Sequence, residues 1–118
     1  MDGRIPKDQW SDYFADFAKT HEDTEARIDI IGRSYGDQEE ADWMPLAGIT
    51  YDKHHNQLFI TVGGMSGRYP AHLTHTIDGP RFITVRNTPE GDVGTFIVVA
   101  PDKSETRVRL RRRGQPVG

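Results

Sequence analysis

Four of the five histidines in this 118-residue chain fall between positions 54 and 75. His54 and His55 are adjacent, and His72 and His75 stand three apart in "YPAHLTHTIDGP". Imidazole can switch charge, accept a proton or hold a metal near neutral pH, so the spacing decides which chemistry is open. On a helix, residues three apart are neighbours, and the pair would be half of a metal site. The segment does not read as a helix: Pro70, Thr74, Thr76, Ile77 and the closing "DGP" turn favour a strand. On a strand an odd offset sends the two rings to opposite faces. Tyr69, Ala71, Leu73, His75 and Ile77 then share an apolar face, and His72, Thr74, Thr76 and Asp78 a polar one. His75 is expected on the core side with a polar partner for its ring, and His72 in solvent or facing a groove. Chelation by the pair would require a bulge.

His54 and His55 lie in "KHHN", the expected tip of a hairpin, where adjacent side chains diverge. Zinc needs three or four converging ligands, and no HExxH or HxH pattern supplies them. No metal, cofactor or catalytic residue is assigned. There is no nucleophile elbow, no pair of catalytic carboxylates and no dinucleotide fingerprint.

Two charged features could act on anions. "GGMSGR" (63–68) has the composition of an anion-binding loop, with Arg68 as its charge, but lacks the Lys-Ser/Thr ending and following helix of a P-loop. In "RVRLRRR" Arg107, Arg109 and Arg111 alternate with Val108 and Leu110, a strand with an apolar inner face and a basic outer one. The plainer expectation is a solvated edge strand, balanced by the acidic "GDQEEAD" (36–42), its arginines discouraging edge-to-edge pairing. The sharper one is a phosphate-contacting stripe, with Phe59 and Phe82 available for base stacking should they share that surface. The candidate ligand or partner contacts are therefore His72, His75, Arg68, Arg107, Arg109 and Arg111.

These residues need a frame. In "IPKDQWSDYFADFAKTH", Trp10, Tyr13, Phe14, Phe17 and Ala18 follow helical spacing. This predicts an amphipathic helix over about 6–20 whose aromatic stripe packs on the core. Beyond it the period changes to two: "TEARIDIIG", "AGITYD", "QLFITVG", "YPAHLTHTI", "RFITVRN", "TFIVVA" and "TRVRLRR" alternate or run apolar between Gly/Pro turns. "TFIVVA" is apolar on both faces and is expected to be central and covered on both sides. Short connections imply antiparallel neighbours. The expectation is an α+β single domain spanning 1–118. The N-terminal amphipathic helix packs on a curved antiparallel sheet of about six strands over about 24–112, curved enough to approach a small barrel, with a frayed tail at 113–118.

A chain this long buries roughly two-thirds of its unfolded surface and can own a core. It has no cysteine, which excludes disulfides and thiolate chemistry and suits a reducing compartment. The longest apolar run is "FIVVA", far short of a membrane span, and the first residues carry no secretory pattern, so a cytoplasmic protein is expected. The net charge of −3 gives no general push toward nucleic acid.

"IPKDQWSDYFADFAKTH", "MPLAGITYD", "LFITVGG" and "HLTHTIDGP", spread from about Ile5 to Leu110, together resemble a family of small bacterial proteins of unknown function, DUF5335. The resemblance implies a compact domain with this element order and no activity. "LAGITYDKHHN" is also locally similar to the first signature of Sm-like RNA-binding proteins through Asp52 and Asn56, but Gly48 stands too close to Asp52 and no second signature follows. The reading that results is a non-enzymatic binding or interaction module for a protein or small ligand, with homo-oligomerisation through a strand edge in keeping. Nucleic-acid or anion binding by the arginine stripe is the alternative, and a metal-dependent or histidine-based enzyme a further one.

Overall fold

The computed structural model describes residues 3–20, 24–32, 36–63, 72–86 and 94–112. Eight strands and one helix follow the order β1 (Gly3–Arg4), a 3-10 turn (Lys7–Gln9), α1 (Trp10–Thr20), β2 (Thr24–Gly32), β3 (Gly36–Asp52), β4 (Gln57–Gly63), β5 (His72–Asp78), β6 (Phe82–Arg86), β7 (Gly94–Val99) and β8 (Glu105–Arg112). The fold is α+β, as the periodicities predict. Among the described residues the strands number eight rather than about six. β1 is two residues long and carries no pattern to read. The acidic stretch from Gly36 is not a separate loop but the first half of the 17-residue β3.

All neighbours are antiparallel, in the order β1-β6-β7-β8-β2-β3-β4-β5. Among the described residues the sheet is open, with β1 and β5 as its edges, and no closed barrel is formed. The turn is made by β3. Its first half pairs with β2 and its second half with β4. Between them lie Trp43 at φ 48°, Pro45, and a register shift between Leu46 and Gly48. Proline has no N–H to give a ladder and bulges bend a strand, so the sheet folds over at this corner. The buried faces then meet: Ala26, Ile28, Ile83, Val98, Val108 and Leu110 from one half, Ile49, Leu58, Ile60, Val62 and Ile77 from the other.

The helix closes one end of this interior. A 3-10 turn precedes it, Gln9 N donating to the Pro6 carbonyl, because proline fixes the entry angle but cannot donate. Trp10, Phe14 and Phe17 are buried as the aromatic stripe predicts. Phe14 and Phe17 both pack edge-on to Phe96 of β7, each at 5.3 Å between ring centres. Trp10 packs edge-on to Tyr51 of β3 at 5.0 Å and donates its indole N–H to the Ile5 carbonyl at 2.9 Å. One aromatic cluster thus ties the helix to both halves of the sheet.

Two strand expectations need correcting. β7 is interior, but only Gly94, Phe96 and Val98 are buried, while Thr95, Ile97 and Val99 are half-covered, because no second layer lies on the outer face among the described residues. β8 is not an edge strand: it lies between β7 and β2. Its arginines therefore do not serve to protect an edge.

Phe96→Ala removes the ring on which α1 rests and is expected to cost about 3–5 kcal/mol of stability, measured by urea unfolding. A cost below about 1 kcal/mol would mean the helix is not anchored there.

Candidate functional site

β5 leaves β4 as its sole strand partner among the described residues. The β4–β5 ladder runs without a register shift from Gln57↔Asp78 to Gly63↔His72. Just beyond it the Gly79 N–H donates to the Asn56 carbonyl at 2.8 Å. Hydrogen-bonded and non-hydrogen-bonded pairs alternate in an antiparallel ladder, so Leu73, His75 and Ile77 direct their backbone groups to β4. Thr74, Thr76 and Asp78 direct theirs away. The Thr61 and Thr74 hydroxyls meet at 3.1 Å, as expected for the closer side chains of a non-hydrogen-bonded pair.

The open side of β5 borders a cleft of about 510 Å³. Its walls are His75, Thr76, Ile77 and Asp78 of β5 and Ala100, Pro101, Asp102 and Ser104 of the β7–β8 turn, with Ile30 and Thr106. Four consecutive strand residues alternate between two faces, so a cleft touched by all four runs along the strand's edge. At its closed end "DGP" makes the link to β6. Gly79 has φ 63°, and a Cβ there would lie 3.2 Å from Pro101, so both the backbone and the close approach call for glycine. The far wall is fixed by its own bonds: Ala100 N donates to Ser104 O at 3.0 Å, and the Ser104 backbone N–H and hydroxyl donate to Asp102 at 2.9 and 2.6 Å. This is a short hairpin with Lys103 at φ 71°, the left-handed residue such a loop requires.

His75 lies on the inner face with Ile77, as strand geometry predicts, and is half-buried. Its Nε2 is 3.5 Å from the hydroxyl of Thr106, a side chain only 5% exposed, which makes a long and therefore weak contact between the two halves of the sheet. Leu73, on the same face, is 40% exposed, so the apolar face is covered only toward its C-terminal end. The backbone of His72 is in β5; its side chain and Arg68 lie outside the described residues.

His54 and His55 stand at the exposed tip of the β3–β4 hairpin, away from this cleft. Asp52 organises that tip, its carboxylate accepting from the His54 and His55 N–H groups and meeting His55 Nδ1 at 2.8 Å. The His55 bond, foremost, holds the Asp52 carboxyl below the ordinary aspartate range. Asn56, at φ 51°, accepts the Tyr51 hydroxyl at 2.6 Å, and burial, then the Asp52 charge, raises the Tyr51 pKa. The two residues behind the Sm-like similarity thus build a turn. Among the described residues no three His, Cys, Asp or Glu side chains are placed to share a metal ion.

The arginines of β8 alternate outward as predicted, with Val108 and Leu110 buried beneath. Arg111 pairs with Glu25 at 3.0 Å and stacks on Trp43 at 4.1 Å, and Arg107 meets Glu105 at 3.3 Å. These acidic partners come from β2 and β8 themselves; the side chains of the 36–42 stretch lie outside the described residues. Phe82 shares this outer face and lies under the Arg4 guanidinium at 4.0 Å. Phe59, on β4, is half-buried opposite Thr50 and Thr76, so the two rings do not form one platform. What the sequence alone missed is the cleft itself: its edge groups are backbone atoms, whose only signal was the "DGP" turn that ends β5.

With this geometry in place, the family match can be weighed. The model of a family of unknown function, DUF5335, matches residues 1–116. The chain belongs to that family. It is also 32% identical over 107 residues to an uncharacterized protein of Aquifex aeolicus (strain VF5), covering 91% of this chain and 87% of that one. No solved structure matches it. The family assigns no role to any residue, so function has to be argued from the site. No helix among the described residues is long and apolar enough to cross a membrane.

Two measurements probe these local assignments. His75→Ala should cost about 1 kcal/mol in urea unfolding, and a double-mutant cycle with Thr106→Val should give a coupling below about 0.5 kcal/mol, since the contact is long. Because the Asp52 pKa is lowered on folding, its contribution is full above the ordinary aspartate range and is lost as the pH falls through the lowered value. Carboxyl NMR titration should show Asp52 moving upward in His55→Ala; no movement would mean His55 is not its partner in solution.

Proposed function

We propose that this protein is a non-enzymatic binding module that takes an extended segment of a partner protein along the open edge of β5. The observation that supports this reading is the cleft beside Thr76 and Asp78, whose backbone N–H and C=O groups point into it. An extended chain satisfies such groups by adding a strand, and the wall at Ala100–Ser104 would hold its other side. Side chains of the incoming strand that face inward would meet Ile30, Thr106 and the ring of His75, an apolar pocket with two polar groups. Such lining selects a ligand by fit and a few hydrogen bonds. The hydroxyl and carboxylates nearby are already engaged: Ser104 donates to Asp102, and Asp78 accepts from Gln57 at 2.6 Å. A serine that donates to a turn carboxylate is held as a structural group rather than activated for attack. Cytoplasmic residence is part of the proposal, on the fit between a cysteine-free chain and a reducing compartment.

Thr76→Pro tests the reading at one atom. Thr76 gives no N–H to the β4 ladder, so proline there is tolerated as on any edge, while His75→Pro breaks a ladder bond and should lose the fold. The parent, displayed against a random heptapeptide library, should select binders that shift the amide resonances of residues 74–78 and 100–106. Thr76→Pro should keep its melting temperature within a few degrees and lose those binders. Peptides that bind Thr76→Pro equally well would sink the proposal. A concentration-dependent dimer abolished by the same substitution would instead identify the occupant as a second copy of this chain.

A further inference from the structure

The outer face of the sheet holds a second, independent feature. In register across four strands lie Arg86 of β6, Thr95 of β7, Arg109 of β8 and Arg27 of β2. All point outward, since their neighbours Val85, Phe96, Val108 and Ile28 are buried. Arg109 is directly opposite Arg27, and like charges so placed destabilise a sheet. The acidic groups described on this part of the face are already engaged: Glu25 by Arg111, Asp29 by Arg27, Glu105 by Arg107. Arg86 and Arg109 are both exposed, and neither forms an ion pair among the described residues.

We propose that this row, rather than the stripe along β8, is a phosphate-binding row for single-stranded nucleic acid. Strands are spaced about 4.8 Å apart, so Arg86 and Arg109 flank Thr95 at roughly 10 Å between Cα atoms. Both long side chains can close over one phosphate, with the Thr95 hydroxyl as a third donor. Guanidinium groups suit this role because they present paired donors and are weakly hydrated. A base on the neighbouring nucleotide can reach Phe82, which stands on the same face of β6, is 40% exposed, and already carries the Arg4 guanidinium on its ring. A ring with a stacked guanidinium offers the sequence-tolerant platform that unpaired bases use. The strand would cross the sheet perpendicular to β8, which leaves Arg107 and Arg111 to their acidic partners.

Fluorescence anisotropy with labelled dT15 and rU15 at about 50 mM salt tests this directly, beside a labelled polyglutamate peptide. The expected result is binding to the oligonucleotides that falls with salt, weakened about tenfold or more by Arg109→Glu or Arg86→Glu, with the salt slope lowered by about 0.7 per lost contact. Phe82→Ala should weaken oligonucleotide binding alone, and Lys53→Glu, at the β3–β4 hairpin tip, should leave it unchanged. Arg109→Glu should keep or raise the melting temperature, since it relieves the repulsion with Arg27, so loss of binding cannot be mistaken for unfolding. No binding to either oligomer, binding indifferent to both arginine substitutions, or polyglutamate bound as tightly as dT15 would each overturn the proposal; the last would point to an acidic protein. None of these outcomes depends on the β5 edge.

Discussion

The corner in β3 is the constraint on which the rest of the molecule depends. A flat antiparallel sheet of eight strands would leave one apolar face open to water. Here the same strand serves both halves, and the bend between Trp43 and Gly48 turns the second half over the first. The bend has identifiable causes: a residue in left-handed conformation, a proline without an N–H, and register shifts opposite Ala26 to Asp29 as well as at Leu46. A bulky residue at positive φ is costly. The Arg111 guanidinium over the Trp43 ring and its bond to Glu25 fasten that residue across β2 and β8, where the strain would otherwise relax. The charge pair is thus structural, and this is why Arg111 makes a poor candidate for ligand contact despite its place in the basic stripe.

Folding the sheet over also fixes where it fails to close. The link Gly79–Arg81 carries the chain from one edge strand, β5, to β6 near the other edge, and Arg81 N bonds Val99 O at 2.8 Å. The two halves are pinned together at that end and diverge along β5. The helix fills one end of the interior with Trp10, Phe14 and Phe17, while His75, Thr106 and Ile30 stand at the cleft, His75 and Thr106 joined by a long polar contact. A cleft of this kind follows from the topology: two halves joined by a short link at one point and by one bent strand at another cannot pair along their whole length.

Elements with strong local periodicity were legible in the sequence, and so were the faces. The aromatic stripe of α1, the inward Val108 and Leu110, the turn at "KHHN" and the place of His75 on the inner face follow from spacing alone, because each depends only on residues near in sequence. What was not legible depends on partners far away. β1 is defined by its pairing with β6. The acidic start of β3 has no alternating apolar residues, and it is a strand because β2 offers it a ladder. Whether β8 was an edge or interior, and which acids its arginines meet, depends on the strand order, which no local pattern encodes. The cleft is hidden for the same reason: it exists because β5 has no second strand partner among the described residues.

The same distinction separates two kinds of charge on this molecule. A net charge of −3 describes the average field and argues against polyanions at long range, but screening confines most of that effect to about 10 Å. Within such a distance the pairing pattern matters more than the sum. Along one face of β2, Glu25, Arg27 and Asp29 alternate in sign, while on β8 Glu105 is followed by Arg107, Arg109 and Arg111. The pairs Arg27–Asp29, Glu105–Arg107 and Glu25–Arg111 engage all of these but Arg109 among the described residues. Arg109, which has no ion pair among the described residues, faces the Asp29-paired Arg27 across the ladder, in the same row as a threonine and a further arginine. Sheet stability alone would favour an acid or a threonine at position 109. An arginine there fits the proposed phosphate-binding row, in which a ligand supplies its compensation.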